Sequence, residues 1–149
     1  HGVWVPLALM APDAKTPVIQ VSLPERSTPD EDSATLGAAL VSLAQENIQL
    51  VFSGSLTHSL RDALSAAEDA APAPFAMAFA DWARQAMARG DWSHLMDWRS
   101  APHALRNHPS PEHFRPLLAA AGAARGPGTQ LHESYTHAAL AMDVWSIPV

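Results

Sequence analysis

The sequence contains no cysteine. Disulfides and thiolate metal sites are therefore excluded within this chain. Basic residues are scarce: Lys and Arg total 9 against 15 Asp and Glu, for a formal net charge of -6. No Lys/Arg-rich run occurs, so the electrostatic footprint of a nucleic-acid binder is missing. Long hydrophobic runs are absent too. Pro, Gly or a charge interrupts every apolar stretch before it could span a bilayer, and no signal peptide is recognisable. A reducing, cytoplasmic setting is compatible with all three absences. Of the 149 residues, 48% are hydrophobic and 16% charged. That supports a real core in one domain, or a large piece of one. Histidine is abundant: His1, His58, His94, His103, His108, His113, His132 and His137. The chain opens on His rather than Met, which suggests processing or an unseen upstream part.

Along the chain, Val3, Leu7 and Met10 fit a short helix ending near Ala11-Pro12-Asp13. Val18 to Leu23 is β-branched and compact, and predicts a strand closed by Pro24. Ser33 is expected to cap a helix with Leu36, Leu40 and Leu43 as its apolar stripe, and Asp30, Glu31 and Asp32 near its positive end. Ile48 to Phe52 predicts a second buried strand. It runs into Ser53-Gly54-Ser55-Leu56-Thr57-His58 and a helix through Leu60 and Leu64. Pro74 suits the first turn of a helix bearing Phe75, Phe79, Trp82 and Ala86, which Gly90 ends. Asp91 to Trp98 reads as another short helix and His103 to Pro109 as irregular. Ser110 can cap a helix beginning Pro111-Glu112-His113, with Phe114, Leu117 and Leu118 inward. The tail predicts edge strands, one near Ala139 to Ser146. This order predicts an α/β fold: a three-layer sandwich with a mixed, mostly parallel central sheet flanked by helices.

Two histidines occupy similar positions. His58 follows a predicted strand at a helix start, and His113 sits in the first turn of another helix. Carboxyl ends of strands face the crevice in open α/β folds. A helix N-terminus disfavours imidazolium, so both rings should stay neutral, the form that ligates a metal or accepts a proton. Plainer readings stand beside this. His58 could simply bond a loop carbonyl, and His113 could be a half-exposed helix-start residue. His108, before Pro109, could merely terminate a loop. His94 and His103 lie in polar surroundings. His132 and His137 are five residues apart and share neither a helix face nor a strand face. His1 is a chain terminus. No phosphate-binding Gly loop, His-Glu-x-x-His helix or nucleophile elbow is present.

Several segments, in order, resemble the 4,5-DOPA dioxygenase group of the class III extradiol ring-cleavage dioxygenases, the LigB-like superfamily. They are His1-Gly2-Val3-Trp4-Val5-Pro6-Leu7 with Pro17-Val18-Ile19-Gln20-Val21-Ser22, then Ser53-Gly54-Ser55-Leu56-Thr57-His58-Ser59-Leu60-Arg61. Phe79-Ala80-Asp81-Trp82 and Asp97-Trp98-Arg99 follow, then His108-Pro109-Ser110-Pro111-Glu112-His113-Phe114, and Ser134-Tyr135 with Leu140-Ala141-Met142-Asp143. The resemblance covers nearly the whole chain. It implies a non-haem enzyme, Fe(II)-dependent or a Zn(II)-loaded relative, that takes a catechol-type small molecule and O2. It assigns acid/base chemistry to His1, a general-base or ligand role to His58, a ligand role to His113 and a substrate-pocket role to His108.

The departures matter as well. The family's two further metal histidines, in Gly-His-Gly and Ser-Ala-His-Trp segments, have no counterpart here, and no Asp precedes His1. Residues 1–149 are therefore expected to be the C-terminal part of one catalytic domain, inactive as an isolated fragment. An N-terminal half, a partner chain or a homodimer contact would complete the site and cover an open apolar face. The competing expectation is a non-catalytic metal-binding or assembly module of the same fold.

Overall fold

The computed structural model describes residues 2–25 and 27–149. Among the described residues, six α-helices form where sequence periodicity and local breakers agree. They are α1 (Trp4–Met10), α2 (Glu31–Ala44), α3 (Leu60–Ala63), α4 (Pro74–Arg89), α5 (Ala104–Asn107) and α6 (Arg115–Ala123). In α4, Pro74 occupies the first turn, where its missing N–H costs nothing. Gly90 closes the helix with φ 70°, a left-handed conformation that glycine adopts without strain. The spacing of Phe75, Phe79, Ala83, Ala86 and Met87 puts all five on the buried face. Two 3-10 segments, Trp92–Ser100 and Pro111–His113, link the helices around this core. Phe79, Leu95, Trp98, Phe114 and Leu118 fill its centre.

Helix α2 begins at Glu31, two residues before the expected Ser33 cap, and Ser33 is buried within it. Asp30 holds the capping position but makes no cap bond. Its carboxylate accepts hydrogen bonds from Trp98 Nε1 (2.9 Å), Arg115 Nε (3.0 Å) and Arg99 instead. Arg115 extends the tie to the backbone carbonyls of Pro24, Glu25 and Thr28, which fixes the loop before α2. Helices α2 and α6 pack closely because small residues meet. A Cβ on Gly37 would lie 1.8 Å from the Ala119 carbonyl oxygen, and one on Gly122 would lie 1.9 Å from that of Ala34.

The central sheet differs from expectation. The strands are β1 (Thr129–His132), β2 (Tyr135–Thr136), β3 (Leu140–Ala141) and β4 (Val144–Ser146). They form two antiparallel pairs, β1 with β4 and β2 with β3. The late strands thus appear where the tail predicted them. The fold is mixed α/β, with helices and small antiparallel sheets, and no mostly parallel central sheet is seen among the described residues. Residues 18–23 and 48–52, predicted as its strands, form no strand pairing among the described residues. A strand exists only through ladder bonds to a neighbour. Their apolar side chains are left open instead: Ile19 is 88% exposed, and Val18, Val21, Ile48 and Val51 are also exposed. Helix α1 is open as well, with Trp4, Val5, Leu9 and Met10 exposed. Beside these segments, Met10, Leu50, Phe52, Leu117, Leu131 and Trp145 help line a groove of about 570 Å³. Among the described residues no helix is long and apolar enough to cross a membrane.

Candidate active site

His58 and His113 meet. Their rings stack with centroids 3.6 Å apart and planes 19° from parallel. The approach is built by backbone geometry, because residues 51–59 belong to no helix or strand. The Ser55 N–H donates to the His113 carbonyl (2.9 Å), and the His58 N–H donates to the Asn107 carbonyl (3.1 Å). Thr57, fully buried between them, ties the segment to β3. Its hydroxyl donates to the Ala139 carbonyl (2.9 Å) and accepts from the Ala141 N–H (2.8 Å). Gly54 permits the close approach. A Cβ there would stand 2.7 Å from the His113 carbonyl oxygen and 2.9 Å from Pro116 Cγ. The glycine of Ser53-Gly54-Ser55 is a local sequence signal of this contact.

The two rings differ in environment. His113 ends the Pro111–His113 turn and is exposed, whereas His58 is half-buried. Burial, and then the adjacent His113 imidazole, pull the His58 pKa below its ordinary value, against the opposing pull of the Glu112 carboxylate. His58 thus tends to the neutral form with a free ring lone pair, through burial and the adjacent imidazole rather than the helix start from which neutrality was expected.

His108 lies inside the core rather than on an open surface, only 1% exposed. Its ring sits among Phe79, Trp98 and Phe114, with centroids 5.3, 5.9 and 5.1 Å away. Nε2 lies 3.0 Å from the Leu56 carbonyl. A carbonyl can only accept, so Nε2 carries the proton. Burial pushes the His108 pKa down to about 4, and the bond to Leu56 resists only partly. His1 lies outside the described residues. His94, His103 and His132 are exposed and apart from the pair. His94 packs against Trp82 (5.1 Å), and His132 Nε2 meets the Ser134 hydroxyl (2.8 Å).

Among the described residues, no three His, Asp or Glu side chains are placed to hold one metal ion. The neighbouring imidazoles of His58 and His113 suit iron or zinc chemically. They supply two nitrogen donors at most, so they fit such an ion as part of a ligand set and not as a whole one. Next to His58, Ser59, Arg61, Asp62, Leu105, Arg106 and Pro109 line an open pocket of about 430 Å³. Arg106 and Asp62 pair across it (2.8 Å), and with the Ser59 hydroxyl this holds the Asp62 pKa down at about 2.

Comparison with known proteins bears on this arrangement. Residues 1–144 match the family described as the catalytic LigB subunit of aromatic ring-opening dioxygenase. The chain is 38% identical over 125 residues to a 4,5-DOPA dioxygenase extradiol of Beta vulgaris, covering 83% of this chain and 46% of that protein. It is 33% identical over 129 residues to the protein of the same name from Escherichia coli K12, again 83% and 46%. A crystal structure of an uncharacterized Escherichia coli K12 protein superposes with TM-score 0.85 at 30% identity, covering 97% of this chain and 61% of that one. The chain spans about half the length of the curated relatives it matches.

Proposed function

Because this chain belongs to the family of the catalytic LigB subunit of aromatic ring-opening dioxygenase, we propose that it carries half of an extradiol ring-cleaving site for catechol-type substrates. The observation that supports this most directly is the stacking of His58 on His113, brought together from residues 55 positions apart at 3.6 Å. In this reading His113 is a metal ligand. Its ring is exposed, at the end of a turn pinned to residue 55. His58 is the general base, or a second ligand. Its lowered pKa keeps a lone pair free to take a proton from a catechol hydroxyl as the ring docks. The bound ion, Fe(II) or Zn(II), would supply the common centre at which diol and O2 meet.

A further segment completes the site. Among the described residues, two nitrogens leave the ligand set short, the predicted strands at 18–23 and 48–52 have no ladder partner, and an apolar groove lies open beside them. Each deficit calls for added strands and added ligands, and the half of the relatives' length not spanned here would supply both. A homodimer contact is the other way to cover that face. The deciding experiment expresses the protein from its full coding sequence, loads it with Fe(II) without air, and then adds a catechol and O2. A yellow ring-fission product is expected, and His58→Ala should abolish it while the fold persists. An iron-loaded, folded protein that leaves the catechol intact would refute the reading.

A further inference from the structure

We infer that His108 is a positioning residue that holds the His58–His113 pair in register through the Leu56 carbonyl. This rests on the reading of that pair as the reactive centre. His58 stands on a stretch of backbone that no helix or strand holds, so its placement depends on individual hydrogen bonds. Three of them lace residues 55–58 onto residues 107–113: Ser55 N–H to His113 O, His58 N–H to Asn107 O, and His108 Nε2 to Leu56 O. The third is the only one made by a side chain, and among the described residues no backbone N–H reaches the Leu56 carbonyl.

Among the described residues the His108 ring has no other polar contact. Its Nδ1 is buried without a hydrogen-bond partner, and Phe79, Trp98 and Phe114 surround it. A buried acceptor left unpaired is costly. A position that served packing alone would be better filled by an apolar side chain, so the contact with Leu56 is what the imidazole provides. The loop that carries this donor also carries His113 five residues on. Residues 107–113 therefore set both partners of the stack at once, one directly and one through Leu56.

The test compares His108→Leu, which fills the space without a donor, with His108→Gln, whose amide can reach the same carbonyl. Both are made in the full chain and studied by NMR without metal or substrate. The readouts are the ring-to-ring NOE of His58 and His113 and the amide exchange of Ser55 and His58. In His108→Leu the NOE should vanish, and both amides should exchange roughly tenfold faster while the amides of α4 keep their protection. His108→Gln should restore both. A folded His108→Leu that keeps the NOE, a uniform rise in exchange across the core, or failure of glutamine to restore the pair overturns the inference. If the leucine variant does not fold, the glutamine variant decides: a retained NOE supports the clamp, and its loss in a folded core refutes it. No catalysis is read, so failure of the dioxygenase assay and failure of the clamp are separate results.

Discussion

His58 and His113 face each other at 3.6 Å across an irregular segment and a 3-10 turn, and neither is a core residue. Groups placed for chemistry rather than packing can be removed at little cost to the fold. His58→Ala and His113→Ala should each change unfolding free energy by no more than about 1 kcal/mol. Urea denaturation with unchanged m checks this. A loss of several kcal/mol would mean that the pair is a structural element.

His108 makes stability pH-dependent. Its folded-state pKa is about 4 against an ordinary 6.5, so below pH 6.5 the unfolded chain takes up a proton that the folded chain refuses. This contribution is level above pH 6.5 and is lost as pH falls toward 4, amounting to about 3 kcal/mol. His58, lowered in the same direction, adds to the slope. Denaturation midpoints should hold level from pH 7.5 to about 6.5 and then drop toward pH 4, and His108→Gln should flatten the fall. An unchanged slope in that variant would contradict the assignment.

Asp30 joins three partners that are remote in sequence. Burial raises its carboxyl pKa, but the bonds from Trp98, Arg99 and Arg115 outweigh that and hold it low. Asp30→Ala would remove the Asp30 carboxylate from the guanidinium of Arg115, whose side chain is only 2% exposed. The expected loss is about 3–5 kcal/mol in thermal or chemical unfolding. A cost below about 1 kcal/mol would show that the backbone carbonyls of the preceding loop suffice.

Gly37 and Gly122 let α2 and α6 approach to backbone contact, since a Cβ on either would overlap a carbonyl oxygen of the other helix. Gly37→Ala gains helix propensity of about 1 kcal/mol, yet must separate the helices, at a cost of about 3 kcal/mol. The sign is net destabilisation, measurable as a lowered Tm.

Much of this was legible in the sequence because it is local. The Pro74 start and Gly90 stop of α4, the apolar spacing of Phe75 and Phe79 and the late hairpin strands are written in adjacent residues. The resemblance carried by Ser53-Gly54-Ser55-Leu56-Thr57-His58 and Pro111-Glu112-His113 named the two rings that meet. The two predicted parallel strands were misjudged because β-branched content shows that a segment can pair, not that a partner is there. The Ser33 cap failed because the helix already begins at Glu31, after Asp30, whose side chain is held by Arg115, 85 residues away, and makes no cap bond. The bond from His108 to Leu56 spans 52 residues and leaves no local mark beyond the histidine itself.

The most direct test of the account is anomalous diffraction from crystals of the protein, expressed from its full coding sequence and loaded with zinc or iron. The account predicts one strong peak at about 2.0–2.1 Å from a His113 ring nitrogen, with His58 facing the same ion. A peak seated on other histidines, or none near the stacked pair in a loaded crystal, would contradict it.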